Sequence, residues 1–159
     1  MVGCHPRGMV AWKDVETAAP EFAQRVRRIF DAHKHKTIAT VRADGGPRIS
    51  GIEAEFTDGE LTFGSMPDAR KGADLHRDPR FALHSPSVDP PEGDPAGWEG
   101  DAKIAGGAVP AGEVGGDTSG ELFRADIREV VRTGLNADAT RLVVEIWTPR
   151  GGLRRVERE

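Results

Sequence analysis

Apolar positions near the N-terminal end of the chain recur with the period of an α-helix. Phe22, Val26 and Phe30 are each separated by four residues, so one face of the predicted helix is apolar. Pro20 stands just ahead of this stripe, and proline suits the first turn of a helix. The residues before the stripe show no clear period, and we therefore expect a flexible tail over residues 1–15.

The pattern changes to that of β-strands after this helix. Three strands are predicted, over Lys36–Arg42, Arg48–Thr57 and Glu60–Ser65. In the second strand apolar side chains such as Ile52 alternate with polar ones such as Glu53, which is the period of a sheet with one buried face. Asp58-Gly59 is a typical two-residue hairpin turn, because both residues tolerate positive φ angles. These segments together predict an antiparallel meander.

A short helix and two further strands are predicted next. The helix covers Ala69–His76, with Asp68 as the N-cap, because an aspartate side chain accepts hydrogen bonds from the first free amides of a helix. The strands cover Arg80–Ser85 and Trp98–Val109, and the proline-rich residues 86–97 between them form a long loop. Alternate residues of the second of these strands are small, which leaves room for another body to approach the backbone.

The C-terminal third is predicted to contain a loop over Pro110–Gly120 and a short helix over Glu121–Ile127. Three more strands follow, over Glu129–Leu135, Arg141–Trp147 and Leu153–Val156. The chain therefore has six or more strands and too few helices to cover both faces of a sheet. This favours a mainly β domain built as an antiparallel barrel, in which closure removes exposed strand edges.

The composition restricts the class of protein. The 159 residues include 22 lysines and arginines against 26 aspartates and glutamates, a formal charge of −4, whereas nucleic-acid binders usually carry a basic excess. No apolar run approaches the roughly 20 residues that cross a bilayer, and no signal-peptide pattern opens the chain. Cys4 is the one cysteine, which excludes an internal disulfide. We expect one cytoplasmic domain over residues 16–159, without nucleic-acid or membrane partners.

Glycine is unusually frequent, and several glycines lie in predicted strands, where glycine is unfavourable. Twenty of the 159 residues are glycine, against a usual ~7%. Gly51, Gly64, Gly100 and Gly106 fall inside or at the ends of predicted strands, where glycine lowers stability. A flat ring lying against the backbone would explain glycine at these positions.

Three cations mark a candidate anion site. Arg48 begins one predicted strand, and Arg70 and Lys71 open the short helix that follows the next strand. The amides of a helix N-terminus favour an anion, so the three side chains would form a phosphate pocket; the alternative is that they are simply solvated. His33 and His35 could share a metal ion, but no third ligand stands near them, and no metal site is predicted.

The order of these motifs resembles a known family. The segments RISGIE (48–53), FGSM (63–66) and ARKGADLHRDP (69–79) follow one another. They are similar to the R-x-V-L-L-K, F-Y-T-N and S-R-K-G-x-E-L-x-x-N-P motifs of the flavin-binding split-barrel superfamily that includes pyridoxamine 5′-phosphate oxidase. The resemblance covers about residues 22–109. It implies a six- or seven-stranded, Greek-key-like split barrel that forms a homodimer and binds FMN between the protomers.

The resemblance also implies a role for each residue of these motifs. The phosphate is expected to be held by Arg48, Arg70 and Lys71. Main-chain groups near the ring are expected from Ser65 and Met66, and the ring face is expected to be lined by Ile49, Ser50 and Gly51. Trp98 is a further candidate beside the ring, with a core or interface role as the alternative. No side chain is expected to be a catalytic acid or base, because the cofactor carries the hydride chemistry.

Departures from the motifs narrow the expected activity. Glu53 stands where the oxidase has a lysine, and Ala69 stands where it has a serine. The chain has no tyrosine, and its last residues lack the R-L-H-D-R pattern with which the oxidase holds its substrate. Oxidation of vitamin B6 is therefore not expected, and the chain is identified as a divergent member.

Several functions remain open at this stage. The leading hypothesis is an FMN-dependent oxidoreductase that acts on a small molecule. The alternatives are a reductase of the same fold that uses the deazaflavin F420, a non-catalytic flavin or haem-binding protein, and an empty fold kept as a dimerisation module. Because the F420 tail carries a phosphate and carboxylates, an open basic groove would favour F420 over FMN.

Overall fold

The computed structural model describes residues 8–114 and 120–159 of the chain. Over these residues the helices are α1 (Trp12–Ala18), α2 (Pro20–Asp31) and α3 (Arg70–Arg77), with a 3₁₀ turn at Pro95–Gly97. The strands are β1 (His35–Val41), β2 (Pro47–Thr57), β3 (Glu60–Ser65), β4 (Arg80–His84), β5 (Asp101–Glu113), β6 (Glu121–Leu135), β7 (Leu142–Thr148) and β8 (Gly152–Arg158). No helix in this described part is long and apolar enough to span a bilayer.

Six strands close into an antiparallel barrel. The strand order is β3-β2-β1-β4-β5-β6-β7-β8, and an additional pairing of β3 with β6 closes the first six strands on themselves. Strands β7 and β8 continue outward from β6 as a hairpin. Both edges of the six-stranded part therefore have hydrogen-bonding partners. The predicted mainly β, antiparallel barrel is confirmed, with two strands added outside it.

The barrel interior is filled by the inward-facing residues of the strands, and the same core includes the buried residues of the helices. Ile38, Leu61 and Ile104 are fully buried, each adding roughly 1.5–3 kcal/mol through the removal of apolar surface from water. The predicted stripe of α2 is likewise buried. The hairpin turn after β2 is also confirmed, with Asp58 and Gly59 both at positive φ.

The N-terminal segment is ordered earlier than the sequence predicts. Trp12 is completely buried in α1, and the Val10 amide donates to Asp126 Oδ1 at 2.9 Å. The Ile127 amide in turn donates to the Val10 carbonyl at 2.9 Å. The prediction of a flexible tail over 1–15 is therefore wrong from Val10 onward. The sequence pattern does not reveal this segment because α1 is too short to show a helical period. Residues 1–7, with Cys4, lie outside the described residues.

Strand β6 corrects two predictions. Its first half, predicted as a helix over Glu121–Ile127, is part of one continuous 15-residue strand with alternating buried residues. A register shift opposite Ala105 and Gly106 leaves Arg128 as an extra residue, and such a bulge breaks the alternation that would identify a single strand. The predicted loop over Pro110–Gly120 is also shortened, because β5 extends to Glu113; residues 115–119 lie outside the described residues.

Helix α3 begins without the predicted cap. Asp68 has a φ of +60°, and the N-cap position is held by Ala69, whose side chain makes no capping hydrogen bond. The helix starts at Arg70, so the two predicted cations occupy its first two positions. The free amides of this first turn are thus available to a group outside the helix.

The small residues in and just before β5 face the barrel interior or the neighbouring strand β6 rather than an external body. Ala102 and Ala108 are buried in the barrel interior. A Cβ atom at Gly106 would overlap the Asp126 carbonyl oxygen, and one at Gly100 would overlap the Thr133 carbonyl oxygen. The interpretation of this strand as a face left open for a ring is therefore wrong, because the body that approaches Gly100 and Gly106 is the backbone of β6.

We expect Gly106→Ala to lower the stability of the fold strongly and Gly107→Ala to leave it unchanged. The space around a Cβ at Gly107 is free to 4 Å, so the two neighbouring glycines form a matched pair. Forcing β5 and β6 apart should cost about 2–3 kcal/mol, which is roughly 5–10 °C in melting temperature for a domain of this size. Thermal unfolding followed by circular dichroism measures the difference, and equal melting temperatures would contradict it.

Candidate functional site

A groove of about 770 Å³ lies between the outer face of β2 and β3, the first turn of α3 and the start of β6. It is lined by four of the predicted contact residues: Gly51, Ser65, Met66 and Lys71. Its volume is within the range of small-molecule sites, which is roughly 300–1,000 Å³. The fold therefore brings residues from one strand end, one loop and one helix start to a common surface.

The wall formed by β2 presents little side-chain bulk. A Cβ atom at Gly51 would meet nothing within 4 Å, so the backbone of the strand can be approached closely there. Ile49 lies on the same outer face and is 75% exposed. Arg48 and Ser50 point to the opposite face, because side chains alternate along a strand. The predicted ring contacts Ile49, Ser50 and Gly51 thus do not share one face.

Arg48 is held by a buried carboxylate. Its Nε donates to Asp74 Oδ2 at 2.6 Å, and Thr40 Oγ1 donates to the same oxygen at 2.8 Å. Arg77 Nη2 donates to the other oxygen, Asp74 Oδ1, at 2.9 Å. The side chain of Asp74 is 3% exposed and that of Arg48 is 16% exposed. Two guanidinium groups therefore share one carboxylate, which leaves a net charge of +1 at the base of α3.

This environment keeps Asp74 ionised. Burial raises the pKa of the Asp74 carboxyl, but the hydrogen bonds from Arg48, Thr40 and Arg77 outweigh burial and lower the pKa from 3.8 to about 2. The charged form is thus the one that the folded protein stabilises.

Arg70 and Lys71 are free to meet a ligand. Arg70 is exposed and Lys71 is half-buried, and neither has a hydrogen-bond or ion-pair partner within residues 8–114 and 120–159. Asp74 follows them by four and three residues on the same helix, so all three lie on neighbouring parts of its surface. Through Asp74, Arg48 is attached to the helix whose first turn carries the other two predicted cations.

Asp74, Thr40 and Arg77 are the residues that sequence reasoning missed. An aspartate with cations four and three residues before it and three residues after it signals a local ion pair. The same signal does not show that the carboxylate is buried or that its principal partner is Arg48, 26 residues away. Those facts depend on the packing of α3 against β1 and β2.

The other end of the groove is acidic. Glu53 and Glu55 line it, and Glu53 forms an ion pair with Lys34 at 3.4 Å. Glu53 is the residue that replaces the lysine of the family motif. The groove thus has a cationic end at α3 and an anionic end at the middle of β2.

A second hollow of about 520 Å³ adjoins the groove around the turn between β3 and α3. The two share Met66, Pro67 and Gly120. Its wall includes His76, whose Nε2 donates to Glu121 Oε2 at 2.7 Å. Any ligand that extends past Met66 would enter this hollow.

Trp98 lies outside the groove of its own chain. Its indole Nε1 donates to the Val88 carbonyl at 2.7 Å and so ties the proline-rich loop to the start of β5.

His33 lies in the turn before β1 and His35 begins that strand. Over the described ranges, no three His, Cys, Asp or Glu side chains are grouped so as to hold a metal ion.

We expect acid to remove a stabilising contribution of Asp74 between about pH 4 and pH 2. The folded pKa of about 2 is below the ordinary 3.8, so the contribution is complete above pH 4 and is lost as the pH falls through the folded value. Urea unfolding at pH 5 and at pH 2 should show that the wild type loses about 2 kcal/mol more than Asp74→Asn.

The comparison with Asp74→Asn is required because Asp78 also titrates in this range. Hydrogen bonds from Arg80 lower the pKa of Asp78 to about 2. Both proteins keep Asp78, so it cancels in the difference. Equal pH dependence of the two proteins would contradict the assignment to Asp74.

Comparison with solved structures supports the fold. The chain is similar to a pyridoxamine 5′-phosphate oxidase-related, FMN-binding protein from Nostoc punctiforme, with a TM-score of 0.61 and 10% identity over 89% of this chain and 96% of the other. It is also similar to PhzG from Burkholderia lata, with a TM-score of 0.58 and 14% identity over 91% and 89%. An F420 reductase matches with a TM-score of 0.50 and 12% identity over 67% and 93%.

Sequence comparison assigns the family. No curated protein matches the chain. The family model described as pyridoxamine 5′-phosphate oxidase matches residues 22–118, a stretch that covers well over half of the chain and includes most of α2, the first five strands and α3. The chain therefore belongs to the pyridoxamine 5′-phosphate oxidase family.

Proposed function

We propose that the protein is an FMN-dependent oxidoreductase that acts on a small molecule. The observation that carries this proposal is the groove that joins an open strand backbone at Gly51 to Lys71 in the first turn of α3. FMN has a flat ring system and a single phosphate group. The strand backbone at Gly51 suits the ring, and the start of α3 suits the phosphate. When bound, FMN supplies the hydride chemistry.

The first turn of α3 suits the phosphate. Lys71 lines the groove, Arg70 precedes it in the same helical turn, and the uncapped amides of the turn point outward from the helix start. Arg48 points to the other face of β2 and is tied to α3 through Asp74, and in this proposal it reaches the phosphate from that side of the helix. Together these residues bind and orient a doubly charged group without requiring a further partner from the protein.

The backbone at Gly51 suits a flat ring. The free space at this glycine lets a planar group lie against β2, and Ser65, 3% exposed, closes the floor beneath it. Met66 is 73% exposed at the rim of the same groove. These side chains hold the ring and exclude water from one side of it.

The acidic end of the groove favours FMN over F420. Glu53 and Glu55 would repel the carboxylates of an F420 tail laid along β2. The only charged group of FMN is its phosphate, which this proposal places at the other end of the groove. An F420-dependent reductase of the same fold is the alternative, and direct titration separates the two. The visible spectrum of the purified protein, followed by titration with FMN and with F420, should show FMN bound more tightly.

A second copy of the chain is the proposed cover of the groove. Ile49 and Met66, at 75% and 73% exposure, flank it on the outer face of the barrel, and exposed apolar side chains beside a ligand site favour a protein partner. A homodimer related by a two-fold axis would place the same surface of the partner over the ring. The opposite wall would then be built by the partner.

Removing the two free cations should weaken FMN binding and leave riboflavin binding unchanged. The double variant Arg70→Ala, Lys71→Ala should raise the Kd for FMN at least tenfold, since a charge-assisted contact contributes about 1.5–3 kcal/mol. Riboflavin lacks the phosphate, so its Kd should change less than twofold. Flavin fluorescence quenching measures both constants.

The matched control is Arg150→Ala, which removes an exposed cation in the turn between β7 and β8. It should leave both constants unchanged. If the double variant binds FMN as the wild type does, the phosphate assignment fails; if the wild type binds no flavin at micromolar concentration, the proposed function fails.

A charge at Ile49 should separate the proposed dimer. Ile49→Glu places a carboxylate on the outer face of β2, where a partner would bury it without a counter-charge. Sedimentation velocity should show a dimer for the wild type and monomers for this variant, with weaker FMN binding. Val88→Glu, at a 43% exposed apolar position in the proline-rich loop, is the control; a monomeric wild type at all concentrations would refute the dimer.

A further inference from the structure

The buried carboxylate of Asp74 has no direct contact with the proposed cofactor, yet it determines how Arg48 is oriented. We propose that Asp74 is a positioning residue that fixes the Arg48 guanidinium for phosphate recognition and thereby makes the site select a phosphorylated flavin over an unphosphorylated one. This inference rests on the proposed function, because it assigns the source of phosphate selectivity within the same site.

The Nη atoms of Arg48 are left without a protein acceptor in the described part of the chain. Asp74 engages only Nε, at 2.6 Å, and no acceptor for Nη1 or Nη2 is found in the described part of the chain. Within that part, the buried side-chain nitrogen and oxygen atoms without a partner belong to Trp12, Arg124 and Trp147. The Nη atoms of Arg48 are not among them, so these atoms keep contact with solvent and can donate to a ligand.

The orientation is fixed from several sides. Oδ2 of Asp74 accepts from Arg48 and from Thr40, while Oδ1 accepts from Arg77. Arg77 is itself tied to β1, where its Nη2 also donates to the Val41 carbonyl at 2.9 Å. Asp74 therefore cannot rotate without losing several hydrogen bonds, and the guanidinium that it holds cannot rotate independently of it.

Two opposing effects of Asp74 on phosphate binding have to be weighed. Its negative charge reduces the attraction between the site and an anion, but it also separates the two guanidinium groups of Arg48 and Arg77. Without the carboxylate these like charges repel each other, and Arg48, which is 84% buried, loses its one described partner. We therefore infer that Arg48 turns away and that the loss of orientation exceeds the gain in net charge.

The test is a double-mutant cycle read in two ligands. Asp74→Asn should raise the Kd for FMN about tenfold and the Kd for riboflavin less than twofold. In an Arg48→Met background, adding Asp74→Asn should change neither constant further, because Asp74 acts through Arg48. Fluorescence titration gives the four Kd values for each ligand, and circular dichroism confirms that each variant is folded.

Arg77→Gln is a graded variant. It removes one of the three side-chain hydrogen bonds that hold Asp74 but leaves the contact with Arg48, so it should lower the ratio of the riboflavin Kd to the FMN Kd by less than Asp74→Asn does. Arg48→Lys is a second variant that does not disturb the buried carboxylate. It keeps the charge but loses the Nη donors of the guanidinium, and it should lower that ratio about tenfold.

An equal loss of FMN and riboflavin affinity in Asp74→Asn would overturn the inference. A further loss in the Arg48→Met background, or an unchanged ratio in Arg48→Lys, would also overturn it. Tighter FMN binding by Asp74→Asn would show that net charge outweighs orientation and would overturn it as well. A wild type that binds neither flavin refutes the proposed function. A wild type that selects FMN while these variants keep its selectivity refutes only the role of Asp74.

Discussion

The antiparallel pairing of β3 with β6 is the constraint on which the other features depend. It joins Ser65 to Glu121 across the barrel and turns a strongly curved sheet into a closed one. Closure places the end of β3, the turn that follows it and the start of β6 side by side. The groove, the adjoining hollow and the first turn of α3 all lie at this junction, so the candidate site is a consequence of where the barrel closes.

The glycines of the chain serve different purposes in different strands. Gly100 and Gly106 allow the backbone of β6 to approach β5, and the bulge at Arg128 accommodates the curvature there. Gly51 has a different role, because it lies on the outer face with free space around it. The same residue type therefore serves packing in one strand and access in another.

The electrostatics of the site follow from one buried carboxylate. Asp74 draws Arg48 toward α3 and holds Arg77 on the opposite side, while Arg70 and Lys71 remain at the open start of the helix. A buried charge is stable only when it is paired, and here the pairing leaves an excess of positive charge. The opposite end of the groove carries Glu53 and Glu55, so the site is polarised along its length.

Much of the fold could be predicted from the sequence, and less of the site could. Alternation identified the first three strands, because a sheet with one buried face has an apolar side chain at every second residue. The turn residues Asp58 and Gly59 identified the hairpin. It failed at β6, where the bulge at Arg128 interrupts the period, and at α1, where only two buried residues mark a helix of seven. The motif around Arg70 and Lys71 indicated an anion site, and the structure places Lys71 in the groove.

The sequence by itself therefore determined the local structure and the chemical types at the site: strands with one buried face, a short helix that opens with two cations, and an arginine at the start of β2. Only the tertiary structure decided which strands close the barrel, that Arg48 is bound to Asp74, and that Trp98 lies away from the groove. These decisions depend on contacts between residues tens of positions apart, and a short-range pattern of side chains carries no information about such contacts.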